Sequence, residues 1–234
     1  MKNSQKHGFF QSIASFLKSG RSKQREAGIE NKNKNKWLYI GDSITDSGRK
    51  RDPEGLGFGY VRMVRDEVMK GREIQFVNKG VSGNRISDLE DRWQEDVMAI
   101  DPDVLSISIG INDVWRQLSH PEMTQVYPED FHSIYERLLD ATKSINAKVV
   151  LMEPTIIEED LNSKGNQMLI PYVEIVRSLA KKYDAVLVPT HAVFLNAVGD
   201  GGATLTTDGV HMTEAGNRLM ADTWLNACKG KLLR

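Results

Sequence analysis

A serine, an aspartate and a histidine stand in this chain where they could make the serine a nucleophile. Ser43 lies in GDSITDSG, residues 41–48, and Asp208 and His211 lie three residues apart in DGVH near the C-terminus. A carboxylate set against one imidazole nitrogen fixes the tautomer, and the other nitrogen can then take the serine proton. In GIND, residues 110–113, Asn112 carries a side-chain amide that can donate to a developing oxyanion. In NKGVSGN, residues 78–84, Gly80 and Gly83 let the backbone approach a substrate with no side chain in the way. Each feature alone has an ordinary explanation. A serine after Gly-Asp often caps a turn, as Ser47 is expected to do; glycine and asparagine form turns; Asp-x-x-His recurs by chance. Their combination points to a serine hydrolase. The histidines at 7, 120, 132, 191 and 211 show no pair at metal-ligand spacing and no cysteine partner motif, so neither a metal site nor a cofactor is expected.

Strands must carry these motifs to one place. Apolar runs without polar alternation at 37–40, 74–77, 104–109, 149–152 and 186–188 are the pattern of buried parallel strands. Three of the four motifs begin where one of these runs ends. Between the runs, 60–70, 86–98, 131–145, 169–182 and 213–227 space apolar residues three and four apart and fill the gaps with charge, which predicts helices. Right-handed crossovers then give a doubly wound sheet with helices on both faces, in which ligands bind at the carboxyl ends of the strands. Ser43 falls at that edge.

Composition sets the outer limits. The 234 residues, 40% of them hydrophobic, suit one α/β domain and are too few for two comfortable ones. Residues 1–36 hold nine Lys/Arg against two acidic residues, which leaves twenty-two basic and thirty acidic residues for 37–234. An acidic body would repel phosphate backbones, so no nucleic-acid partner is expected. The leader, which includes the run NKNKNK, has the makeup of a disordered tail. Within it, Phe9, Phe10, Ile13, Phe16 and Leu17 recur at helical spacing among basic residues. A short amphipathic helix over 8–21 could meet an anionic membrane, but a solvated tail is the favoured expectation. Gln11, Ser12 and Ser15 interrupt this stretch too often for a signal peptide, and no segment approaches the roughly 20 apolar residues of a membrane span, so a cytoplasmic location is expected. Cys228, the only cysteine, excludes an intramolecular disulfide and is expected to be a packed or surface thiol.

GDSITDSG, the glycine of VSGN, GIND and DGVH resemble, in order, the four sequence blocks of the SGNH hydrolases, also called the GDSL lipase/esterase family, over residues 37–227. The resemblance implies a three-layer α/β/α sandwich with a flavodoxin-like five-stranded parallel sheet, and ester hydrolysis through an acyl-enzyme. It implies Ser43 as nucleophile and, through its backbone N–H, as one oxyanion donor. Gly83 is implied as a second backbone donor, Asn112 as a side-chain donor, His211 as the base and Asp208 as its orienter. Asp42 and Asp113 are then structural neighbours. Many members carry proline after the histidine of the last block; here it is Met212, a change that removes no catalytic atom.

The wider stretches VNKGVSGN, DLEDRWQEDV and GINDVWRQ are similar to the bacterial acetylesterases of this family that act on xylan fragments and related plant polysaccharides. The expected substrate is accordingly a small-molecule ester, most simply an acetylated saccharide. Trp115, just beyond Asn112, could stack on a sugar ring or simply pack. The polar segment 155–167 is expected to border the acceptor side of the pocket. The alternatives are a lysophospholipase or thioesterase of the same family, or a binding module that keeps the fold without turnover. Oligomeric state is not legible in the sequence.

Overall fold

The computed structural model describes residues 35–70 and 72–233, so expectations for residues 1–34, including the amphipathic stretch over 8–21, lie outside the described residues. Asn35 and Lys36, placed with the leader on sequence, already belong to the first strand, β1 (Asn35–Gly41). Asp103 and the carbonyl of Ile100 hold Lys36 there, by 2.7 Å and 3.0 Å hydrogen bonds from its backbone N–H and its ammonium.

The other strands are β2 (Ile74–Gly80), β3 (Val104–Ser108), β4 (Lys148–Met152) and β5 (Val186–Val188), and together the five form one parallel sheet in the order β2-β1-β3-β4-β5. Registers pair Gly41 with Ser108, Ser108 with Met152 and Met152 with Val188, so the strands end level at their carboxyl edge. Parallel neighbours need crossover connections, and helices therefore cover both faces. That is why Leu38, Tyr39, Ile40, Leu105, Ile107, Val150 and Leu151 are all wholly buried, with no polar alternation.

The helices are α1 (Ser43–Asp46), α2 (Tyr60–Val68), α3 (Ile86–Trp93, extended by a wider π turn over Gln94–Met98), α4 (Ile111–Ser119), α5 (Pro128–Thr142), α6 (Lys164–Lys182), α7 (Thr190–Gly199) and α8 (Glu214–Cys228). Helix α8 packs on α2 and α7; α5 packs on α3 and α6, and α6 on α4. These two groups are the outer layers of the expected α/β/α sandwich. Among the described residues no helix is long and apolar enough to cross a membrane.

Three helices were not foreseen, and the four-residue α1 is the shortest of them, lying where a turn was expected. The short apolar start of α4 reads as the tail of the preceding strand run, and α7, THAVFLNAVG, carries apolar residues on all sides and so lacks the amphipathic period. Helix α6 starts five residues before the expected Leu169, because Ser163 caps it by accepting from the Asn166 N–H at 3.1 Å.

Chain order turns back between β1 and β3, since β2 leaves β1 on one side and β3 on the other. In such sheets the crevice beyond the carboxyl ends of these two strands is the ligand site. Ser43 follows β1 and Asn112 follows β3, so the motifs flank that crevice.

Aromatic packing fixes the sheet under it. Trp224 of α8 lies 5.7 Å, centroid to centroid, from both Trp37 and Tyr39, and Tyr39 stacks on Phe76 at 6.0 Å. The Trp224 indole N–H donates to Ser106 Oγ at 3.0 Å inside the core. Cys228, one turn further on, is wholly buried, and burial pushes its thiol up to about 12, which makes it a packed and unreactive group. Trp224→Ala would empty the indole's volume and leave Ser106 without its donor. A loss of about 3–5 kcal/mol in urea unfolding is expected, and a loss below about 1 kcal/mol would show that α8 does not anchor the sheet.

Candidate active site

Local hydrogen bonds build the turn that carries Ser43. Asp42 caps α1, its Oδ1 accepting the Ile44 N–H at 2.9 Å, and Ser47 closes the helix in a left-handed conformation with φ 41°. Ser47 is thus the turn residue expected from the sequence. Asn78, at the end of β2, clamps the far side: its amide donates to the carbonyls of Thr45 (2.6 Å) and Leu56 (2.7 Å), and its Oδ1 accepts the Gly80 N–H (2.8 Å). Gly80 must be glycine, because a Cβ there would sit 2.2 Å from the Asp46 nitrogen.

Ser43, His211 and Asp208 form one hydrogen-bonded relay. Ser43 Oγ lies 2.9 Å from His211 Nε2, and His211 Nδ1 lies 2.7 Å from Asp208 Oδ2. The other carboxylate oxygen of Asp208 accepts the N–H groups of His211 (2.8 Å) and Val210 (3.1 Å). Desolvation raises the Asp208 pKa, but the His211 side chain and these two N–H groups outweigh it and hold the carboxyl below its usual range. An ionised carboxylate only accepts, so Nδ1 carries the proton and Nε2 is left to accept from the serine hydroxyl. The relay is open to solvent, with the side chains of His211 and Asp208 41% and 48% exposed.

Gly83 and Asn112 face the same crevice. The N–H groups of Ser43, first in its helix, and of Gly83 meet no acceptor among the described residues. Asn112 is buried and spends one amide hydrogen on the Asn84 carbonyl at 3.0 Å, leaving the second for a ligand. Gly83 adopts φ +84°, a left-handed conformation that suits glycine. Trp115 is half-buried, and its ring meets the His211 imidazole edge to face, 5.9 Å between centroids at 67°. Its nearest aromatic partner is therefore the imidazole.

Arg92 ties these parts together and was not singled out from the sequence. Its guanidinium donates to the carbonyls of Lys79 (2.8 Å) and Gly41 (3.2 Å), to Asn84 Oδ1 (2.8 Å) and to Asp96 (2.7 Å). One side chain thus holds the ends of β1 and β2 and the residue whose carbonyl positions Asn112. Its only sequence signal is its place in DLEDRWQEDV, four residues before Asp96; the carbonyls of Lys79 and Gly41 lie 13 and 51 residues away.

The segment 155–167 also differs from expectation. Thr155, Ile156 and Ile157 are buried, and the later residues serve the loop that carries Asp208. The Glu158 N–H donates to the Gly209 carbonyl at 2.7 Å, while Glu159 Oε1 accepts the N–H groups of Leu205 (2.9 Å) and Thr206 (2.6 Å) and the Thr206 hydroxyl (2.7 Å). These contacts make it a brace behind the relay. A groove of about 340 Å³ is lined by Ser43, Ser82 and His211 together with Arg51, Phe58 and Asn217.

The sequence model of the GDSL-like Lipase/Acylhydrolase family matches residues 39–219. This chain belongs to that family. It is an ester hydrolase. An acetylxylan esterase of Geobacillus stearothermophilus is 39% identical to it over 202 residues, which cover 81% of this chain and 92% of the relative. A crystal structure of an acetylxylan esterase from that organism superposes with a TM-score of 0.77 at 36% identity, covering 86% of this chain and 96% of the other. Crystal structures described as catalytic mutants of that esterase change a serine, and an aspartate and a histidine three residues apart. An α/β hydrolase enzyme from the metagenome of Lake Arreo, Spain, matches at 32% identity with a TM-score of 0.77, over 82% of this chain and 94% of its own.

Two buried acids lie beneath the family's motifs. Burial pushes Asp42 up to about 7, against the lowering effects of the Ile44 N–H and of His211. Burial likewise pushes Asp113 up to about 7, although the Ile86 N–H donates to its Oδ1 at 3.1 Å; its Oδ2 is buried with no partner. Such groups bind their proton more tightly folded than unfolded, so they lower stability as pH rises from about 4 through about 7. Asp113→Asn keeps the acceptor for Ile86 and removes the ionisation. The variant's Tm is expected to fall less than that of the wild type between about pH 5 and pH 7.5, and parallel curves would show that Asp113 does not titrate there. Arg92→Lys retains the charge but loses the planar fork. It is expected to lower kcat about ten- to a hundredfold on a simple acetate ester with KM changed less, and an unchanged kcat would remove Arg92 from the positioning of the site.

Proposed function

We propose that this chain is a serine acetylesterase acting on acetylated saccharides, with Ser43 as nucleophile, His211 as general base and acid, and Asp208 as the orienting carboxylate. The observation that carries the proposal is the unbroken relay from Ser43 Oγ through the imidazole to Asp208, at 2.9 Å and 2.7 Å. The substrate class rests on the acetylxylan esterase that is 39% identical over most of both chains.

His211 Nε2 takes the hydroxyl proton while Ser43 Oγ attacks the acetyl carbonyl. The resulting oxyanion meets the Ser43 and Gly83 N–H groups and the second amide hydrogen of Asn112, all donors without another acceptor. Collapse expels the sugar alcohol, which leaves with the proton held on Nε2. Water then enters, gives its proton to the same nitrogen, attacks the acetyl-serine and frees acetate, and Ser43 regains its proton. Asp208 keeps Nδ1 protonated throughout and offsets the charge on the imidazolium. Trp115, whose ring meets the His211 imidazole edge to face, is placed to touch a sugar ring held beside that base.

Acetate release from acetylated xylo-oligosaccharides, measured beside the cleavage of longer acyl chains from p-nitrophenyl esters, tests this assignment. Wild type should release acetate and Ser43→Ala should not. Asn112→Ala should lower kcat about 10²–10³-fold with its Tm largely kept. A Ser43-dependent activity confined to longer acyl chains would move the assignment to a lysophospholipase or thioesterase.

A further inference from the structure

The groove beside Ser43 is cationic on a domain that is acidic as a whole. Residues 37–234 carry thirty acidic side chains against twenty-two basic ones, yet Arg49, Lys50 and Arg51 follow the Ser43 turn directly. Most arginines of the fold are committed: Arg62 and Arg65 to Glu54, Arg92 to Asp96, Arg177 to Glu153. Arg49 bonds the Gly80 carbonyl at 2.6 Å. Three guanidinium groups have no hydrogen-bond or ion-pair partner among the described residues; that of Arg218 lies on α8, where its field reaches Glu67, and the other two, those of Arg51 and Arg116, lie near Ser43 and Gly83. Arg51 folds back over Gly48, its Nη2 2.8 Å from where a Cβ would stand there, and it lines the groove with Ser43 and His211. Arg116, one helical turn beyond Asn112 and half-buried, has its Nη2 3.5 Å from the corresponding point on Gly83.

The nearby acids are already spent. Asp46 pairs with the Arg49 guanidinium at 3.9 Å and accepts the Ser82 hydroxyl (2.8 Å) and the Arg49 N–H (3.2 Å). Asp52 accepts the N–H groups of Leu56 (2.8 Å) and Gly57 (2.9 Å) and pairs with Arg62. The groove thus keeps uncompensated positive charge, and beside Arg51 it offers the ring of Phe58, a residue 55% exposed with Arg62 5.9 Å from its centroid. A flat aromatic next to a guanidinium fork suits a ligand with an apolar ring face and a planar anion.

We propose that the groove selects saccharides that carry a carboxylate, with Arg51 pairing to a uronic acid on the acetylated oligosaccharide and Phe58 lying against the sugar ring. This rests on the acetylesterase assignment above and adds to it the charge of the substrate. Arg116 contributes a second positive charge on the Gly83 side, so the approach to Ser43 favours an anionic ligand from both flanks.

The test compares kcat/KM for acetate release from acetylated xylo-oligosaccharides with and without a glucuronic acid branch. Wild type, Arg51→Gln, Arg51→Lys, Phe58→Ala and, as a control for net charge, Arg137→Gln are measured at low and high salt. The wild type is expected to prefer the acidic oligosaccharide about three- to tenfold at low salt, with the preference shrinking as added salt shortens the screening length. Arg51→Gln should abolish the preference, Arg51→Lys should keep part of it, and Arg137→Gln should keep all of it. Phe58→Ala should raise KM for both oligosaccharides. Equal kcat/KM for the two in the wild type, or a preference that survives Arg51→Gln, overturns the proposal while leaving the acetylesterase assignment standing. Failure to release acetate from either, with Ser43-dependent cleavage of p-nitrophenyl acetate intact, sinks the saccharide assignment and this proposal with it. An Arg51-dependent preference for a lysophospholipid would overturn it in favour of a phosphate ligand.

Discussion

The backbones of Gly80 and of Thr45–Asp46 touch, and much of the site follows from that contact. A β-carbon at Gly80 would lie 2.2 Å from the Asp46 nitrogen and 2.6 Å from the Thr45 carbonyl carbon, so the end of β2 can be nothing larger than glycine. With the strand end pressed on the Ser43 turn, Asn78 can reach the Thr45 carbonyl and Arg49 can reach back to the Gly80 carbonyl. The same contact brings the residues after Gly80 over the crevice. There Gly83 stands near Arg116, and Asn84 receives both Arg92 and Asn112. Remove the close approach and Ser43, Gly83 and Asn112 lose their common frame.

Most of the architecture was legible in the sequence, for a physical reason. Strands buried on both faces cannot alternate in polarity, so runs such as WLYI and VLSISI announce themselves, and the motifs that follow them fall at one edge. The same logic placed Ser43 and Asn112 after the first and third strand runs at the carboxyl edge, and the strand order then sets these two strands side by side. What escaped was long-range or fully apolar. Helix α7 has no polar stripe to give it a period, and although Arg92 meets Asp96 at i,i+4 spacing, its bonds to residues 41, 79 and 84 join segments that no local spacing connects. The brace formed by Glu158 and Glu159 was missed for the same cause. Their polarity suggested the rim of a pocket, whereas their hydrogen bonds run to 205, 206 and 209.

Charge is distributed with similar economy around the relay. Asp208 is kept ionised by N–H donors, while Asp42 and Asp113 are deprived of solvent and hold their protons up to about 7. Three carboxyls of one residue type thus play different parts because their surroundings differ. The two buried ones flank the Ser43 turn and the Asn112 helix, so the fold beneath the site loses stability as pH rises from about 4 through about 7.

The openness of His211 and Asp208 has a consequence for the fate of a bound acyl group. No lid among the described residues covers the imidazole edge, so on the assignment proposed above an acetyl group on Ser43 would be attacked beside bulk solvent, where water vastly outnumbers any sugar hydroxyl. Transfer of acetyl from one saccharide to another would then lose to hydrolysis except at extreme acceptor concentrations. The exposed relay suits a chain that strips decorations from its substrate and leaves them in solution, and does not suit one that moves them.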